Sequence, residues 1–205
     1  MSGHSLSDSK MCILNTAMMD NTVHKSMPNQ ECQAYHTPDD KKREVWGWKE
    51  PNTQMYVSEI LQFYPDLKYI HLLRHGLDMA FSTNKQQLRN WGWKFGISVN
   101  GDESEIELAS KQLEYWIKST EFVLEQKRQY QSRVMLVNYT ELYQSPKKII
   151  DELLGFYGID LSSQYLHQLY TLPKDVGTNN RFLNQDIDSF NKKDLIFVES
   201  LDFKI

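Results

Sequence analysis

Lys68-Tyr69-Ile70-His71-Leu72-Leu73, closed by Arg74-His75-Gly76, is the run on which the fold turns. It follows a Pro65-Asp66 turn and is dense in apolar and aromatic side chains, so it reads as a buried strand. Arg74-His75-Gly76 interrupts it, and the apolar spacing that follows predicts a helix over Leu77–Leu88. Residues 90–104, with three glycines, read as a loop. Glu105 to Tyr130 carries Leu113, Trp116, Ile117 and Val123 near one face, the pattern of a long amphipathic helix. Arg133 to Tyr139 predicts a second strong strand. Ser145-Pro146 then opens a helix over Lys147–Tyr157, with Ser as N-cap and Pro at the first helical position, and Gly158 stops it. Strands separated by helices argue for an α/β domain with a parallel sheet flanked by helices.

Upstream of the decisive run, Glu44-Val45-Trp46-Gly47-Trp48-Lys49 is compatible with a short buried strand, and Thr53 to Phe63 reads as an amphipathic helix ending before Pro65. A helix is expected over residues 6–19 and a long polar loop from Asp20 to Arg43. Leu195-Ile196-Phe197-Val198 is an apolar burst in an otherwise polar tail. The 205 residues fit one domain spanning 1–205, and 40% hydrophobic residues suffice for a core. Twenty-three Lys and Arg against 27 Asp and Glu give a net charge of −4, so no global basic field exists for gripping nucleic acid. Cys12 and Cys32 are too few for a disulfide scaffold or a tetrahedral zinc site. No apolar run reaches the length of a membrane span, and Met1 to Lys10 lacks the pattern of a signal peptide. The expected location is cytoplasmic.

Ligand sites in open parallel sheets lie at the carboxyl ends of strands, and Lys49, Arg74 and Tyr139 all sit at expected strand ends. Arg74 with the hydroxyl of Ser82, eight residues on, makes a small anion site suited to phosphate. On spacing alone, Arg74 instead pairs Asp78 on the same helical face. Lys49 alone reads as a lysine lying over Trp48 or paired with Glu50. Tyr139 reads as an anchor between elements. Trp91-Gly92-Trp93 suggests an aromatic wall for an acceptor, although core packing or a loop anchor is the default for tryptophan.

In order, three blocks resemble the sulfotransferases that use 3′-phosphoadenosine 5′-phosphosulfate. They are Trp48-Lys49-Glu50-Pro51, then Leu73-Arg74-His75-Gly76-Leu77-Asp78-Met79-Ala80-Phe81-Ser82, then Val137-Asn138-Tyr139-Thr140-Glu141-Leu142 with Pro146 and Phe156-Tyr157-Gly158. The middle block is similar to that family's 3′-phosphate signature, and the resemblance covers residues 44–160. It implies a P-loop-like parallel sheet of sulfotransferase type. It also implies that Arg74 and Ser82 bind the 3′-phosphate, which reverses the Arg74–Asp78 reading, and that Lys49 faces the transferred sulfuryl group. Thr178-Asn179-Asn180-Arg181-Phe182 is similar to the family's late basic loop, which makes Arg181 a further phosphate ligand or, equally, a solvated loop residue.

The implied reaction is in-line attack of an acceptor hydroxyl or amine, on a small molecule or a glycan, at sulfur. Adenosine 3′,5′-bisphosphate leaves, and fixed cations stabilise the growing charge. A base must take the acceptor proton. The position where cytosolic relatives carry His is Pro51, and Glu31, His36, Glu50, His71 and His75 stay unranked as substitutes. His71, inside a strand, reads as a core histidine with a satisfied hydrogen bond.

The family's opening strand and 5′-phosphosulfate loop meet only Ser2-Gly3-His4-Ser5 here, so the expected sheet is short of its first strand. Three explanations stand side by side: a fragment or internal start, a loop truly lost, or another segment making the 5′ contacts. An unfilled sheet position would expose edges, favouring a rearranged N-terminus or a homodimer across the gap. A non-catalytic relative that binds adenosine 3′,5′-bisphosphate or a protein partner is the alternative function. A nucleotide kinase is discounted because no Gly-x-x-x-x-Gly-Lys-Ser/Thr occurs.

Overall fold

A computed structural model describes residues 47–205. Of these, residues 47–53 fall in one contact unit and Gln54–Ile205 in another. The expected helix over 6–19, the loop over 20–43, and the candidates Ser2, Gly3, His4, Ser5, Glu31 and His36 lie outside the described residues.

The described part of the first unit is short. Gly47, Trp48 and Lys49 are exposed coil, which corrects the strand expected there; Glu44 to Trp46 lie outside the described residues. Local bonding explains the difference. The Trp48 indole N–H donates to Thr53 Oγ1 (3.2 Å), and the Glu50 carboxylate accepts from the Asn52 backbone N–H and side-chain amide, both at 2.7 Å. Pro51 lies between them with no N–H to give a ladder, so the segment closes into a turn.

In the second unit, helix α1 (Val57–Phe63) continues a 3-10 turn at Thr53–Tyr56, as its spacing predicts. Strand β1 (Tyr69–Leu73) and strand β2 (Val134–Asn138) form a two-stranded parallel sheet with Tyr69 opposite Val134 and Leu73 opposite Asn138. Helix α4 (Glu105–Tyr130) is the crossover between them, with the bounds its sequence predicts. Ser104 Oγ accepts from the Glu107 N–H while the Glu107 carboxylate accepts from the Ser104 N–H, a capping box that fixes where α4 starts.

Three clusters pack against α4. Leu113, Trp116 and Ile117 pack with Leu73, Leu77, Phe182, Val198 and Phe203. Tyr115 joins Met55, Leu88 and Ile97, and Val123 joins Val57, Leu61 and Val134. Tyr69 and Leu73 point to this covered side of the sheet. On the other side Leu72 is 48% exposed, so β1 is not the wholly buried strand that its composition suggests.

The helix expected over Leu77–Leu88 is two helices, α2 (Gly76–Ala80) and α3 (Gln86–Trp91). Side chains of the intervening turn compete for backbone donors. Asn84 N–H donates to Ser82 Oγ (3.3 Å), Gln86 N–H donates to Asn84 Oδ1 (3.0 Å), and Lys85 Nζ donates to the Ala80 carbonyl. At the end of β2, Asn138 Oδ1 accepts from Thr140 N–H (2.8 Å) and starts a short helix α5 (Tyr139–Gln144). Helix α6 (Pro146–Tyr157) begins at the expected Pro, but the Ser145 hydroxyl makes no capping bond, so the fixed φ of Pro146 sets the start. Gly158 ends α6 with φ 71°, and the Ile159 N–H returns to the Leu154 carbonyl (3.0 Å). Helices α7 (Ser163–Tyr170) and α8 (Lys192–Glu199) complete the unit, the latter built on the apolar burst at 195–198.

Candidate anion site

The parallel register positions the site. Leu73 faces Asn138, so one residue further along each strand Arg74 meets Tyr139, and the Arg74 guanidinium lies 5.0 Å from the Tyr139 ring centroid. A loop from far along the chain closes over the pair. Tyr139 Oη donates to the Lys174 carbonyl (3.0 Å), so this tyrosine anchors a loop as its sequence position suggests. Arg74 Nη2 donates to Thr178 Oγ1 at 2.6 Å and lies 3.4 Å and 3.5 Å from the Thr178 carbonyl and Asn179 Oδ1. Inside the loop, Asp175 Oδ1 accepts from Gly177 N–H (2.9 Å) and Asn179 Nδ2 (2.6 Å).

Arg74 and Asp78 are not partners. Asp78 is 4% exposed, and its two carboxylate oxygens accept the backbone N–H groups of Asn180 (2.9 Å) and Arg181 (2.6 Å). Spacing predicts the Arg74–Asp78 pair; the tertiary fold gives the carboxylate to a loop a hundred residues away in sequence, for which no local signal exists. Arg74 Nε is buried and has no hydrogen-bond partner among the described residues. A buried N–H left unmade costs on the order of 1–3 kcal/mol, so the atom marks a place where an acceptor belongs.

His75, the next residue, is committed to the core. Its Nδ1 accepts from the Leu77 N–H (3.2 Å), its Nε2 donates to the Lys204 carbonyl (2.9 Å), and its ring stacks on Phe182 with centroids 4.4 Å apart. Burial pulls its pKa below the ordinary histidine value, against the opposing pull of the Lys204 carbonyl and Asp78, so the neutral ring is favoured. His71 Nδ1 shares a hydrogen bond with Tyr69 Oη (3.0 Å), and burial lowers its pKa to about 4, which suits a core histidine.

The remaining candidates are placed as follows. Arg181 is half-buried, and its guanidinium forms no hydrogen bond or ion pair among the described residues. Ser82 Oγ serves the turn before α3, and no hydrogen bond joins it to Arg74 among the described residues. Burial, helped by Arg89, lowers the pKa of the neighbouring Lys85 to about 8. Lys49 is exposed within the first unit. Trp93 is 69% exposed with its indole N–H on the Asn90 carbonyl (2.9 Å), while Trp91 packs edge-on against Tyr56 at 5.5 Å. Among the described residues no helix is long and apolar enough to cross a membrane.

The described residues thus form a helix-rich α/β unit that holds a cation, with one donor unspent, at the carboxyl end of a parallel strand, where open sheets of this kind place their ligands. The sequence matches the sulfotransferase family over residues 5–163, and the chain belongs to that family. No curated protein and no solved structure matches it. The loop that closes on Arg74 lies beyond the matched span, so its place beside Arg74 is a finding of the structure alone.

Proposed function

We propose that the chain, as one sulfotransferase-like domain over 1–205, moves a sulfuryl group from 3′-phosphoadenosine 5′-phosphosulfate to a hydroxyl or amine acceptor. Family membership supports sulfuryl transfer in general. The observation that carries the choice of donor is the orphaned Arg74 Nε, set between Tyr139 and the Thr178 hydroxyl at a strand end. A guanidinium with a free N–H is the group that best takes a dianionic phosphate. In this reading Arg74 and Arg181 hold the 3′-phosphate, and Ser82 adds its hydroxyl. Ser2, Gly3, His4 and Ser5 keep the 5′-phosphosulfate role that the resemblance gives them. The donor supplies the activated sulfuryl group. Lys49 stabilises the charge that develops as the acceptor oxygen or nitrogen bonds to sulfur, the sulfur–phosphate oxygen bond breaks, and the acceptor proton passes to a base.

The test is release of adenosine 3′,5′-bisphosphate from the donor in the presence of pooled hydroxyl and amine acceptors. Release that depends on acceptor is expected. Lys49→Ala should slow it about a hundredfold, the size of effect seen when one charge-stabilising donor is removed. Binding of the bisphosphate with no acceptor-dependent release would instead support a non-catalytic relative.

A further inference from the structure

Among the described residues Asp78 is the one carboxylate buried at the site, and the Arg74 account leaves it without a part. It lies in the first turn of α2, four residues after Arg74, where an ion pair would be the simplest outcome. Its oxygens instead take two successive backbone N–H groups, those of Asn180 and Arg181. Asn180 is left-handed, with φ 61°, and a left-handed residue is what turns consecutive N–H groups toward a single anion. The carboxylate thus fills a nest that the loop itself forms. Two consequences follow from that one placement. Among the described residues Arg74 is left without a counter-carboxylate, and the loop that carries Thr178, Asn179 and Arg181 is pinned beside it.

We propose that Asp78 is a positioning residue that preforms the 178–181 loop around Arg74, so that the protein distinguishes a nucleotide bearing a 3′-phosphate from one without it. The inference rests on the 3′-phosphate reading of Arg74. Asp78 touches no ligand in it; it acts through the loop, by holding the Arg181 backbone and keeping Arg74 free of a competing anion.

Isothermal titration of the full chain with adenosine 3′,5′-bisphosphate and with adenosine 5′-monophosphate tests this, because the ratio of the two affinities isolates recognition of the 3′-phosphate. Wild type should prefer the bisphosphate. Asp78→Asn keeps the shape but sets an amide against one loop N–H, and the preference should fall about tenfold or more, the worth of hydrogen bonds to a charged group, while the monophosphate affinity holds. Asn180→Val attacks the same joint from the exposed loop, since a β-branched residue resists φ 61°, and should lose the preference equally. Asn180→Gly adopts that φ freely, keeps the N–H and should restore it. If Asp78→Asn is unfolded, the two Asn180 variants decide. Wild-type preference that survives in Asp78→Asn or Asn180→Val overturns the role of Asp78 and leaves Arg74 standing. Absence of preference in wild type overturns the Arg74 reading and this inference with it.

Discussion

Arg74 and His71 sit three residues apart and show what single residues reveal. Arg74 is legible as a cation at a strand end, because a compact apolar run that stops at an arginine has few other meanings. Its partners Thr178 and Asn179 are not legible, since nothing local ties residue 74 to a loop more than a hundred residues on. His71 is legible as a core histidine, and it carries a pH prediction. Its folded pKa is about 4 against about 6.5 for an ordinary histidine. Between those values the unfolded chain binds more protons, so the stability contribution is whole above pH ~6.5 and drains away as pH falls toward 4. The thermal midpoint should therefore drop between pH 7 and pH 5. His71→Gln, which keeps a hydrogen-bond partner for Tyr69, should drop less. An identical drop in both proteins would show that His71 is not the linked group.

Elements are legible where the sequence pattern is sustained. The bounds of α4 are legible from its sustained apolar face, and the structure adds a capping box that fixes its start. The break between α2 and α3 is not legible, because Ser82 and Asn84 decide it by accepting from backbone N–H groups two residues on, which periodicity does not register. The strand expected at 44–49 fails over Gly47–Lys49 for a related reason, since Glu50 and Asn52 close a turn. Gly76 starts α2 because α2 lies tight against α4: a Cβ there would meet Trp116 ring carbons at 2.7 and 2.8 Å and Val198 Cγ2 at 3.0 Å. Gly76→Ala should cost about 1–3 kcal/mol in chemical denaturation, the usual penalty of overpacking a core. A change below half a kcal/mol, with an unchanged denaturant slope, would mean that Trp116 moves aside freely.

At the scale of the molecule, the sequence conveys family and fold class, and the profile match bears out the family. It does not convey how the C-terminal third returns to the sheet end. Thr178 and Asn179 reach Arg74, while Phe182, Val198 and Phe203 join the cluster around Trp116 and Lys204 accepts from His75, so this late segment is tied both to Arg74 and to the core beneath it. Such long-range closure is set by packing, which no window of sequence contains. The central claim is that this closure leaves Arg74 ready for a phosphate, and ligand-induced stabilisation reads it directly. A ligand that binds only the folded state raises the thermal midpoint by mass action, about 2.7 kcal/mol of stabilisation at a hundred times its Kd. Titration with adenosine 3′,5′-bisphosphate should raise the midpoint of the wild-type chain in a dose-dependent way, and Arg74→Ala should abolish the rise. No shift at millimolar ligand, or an equal shift in Arg74→Ala, would contradict the account.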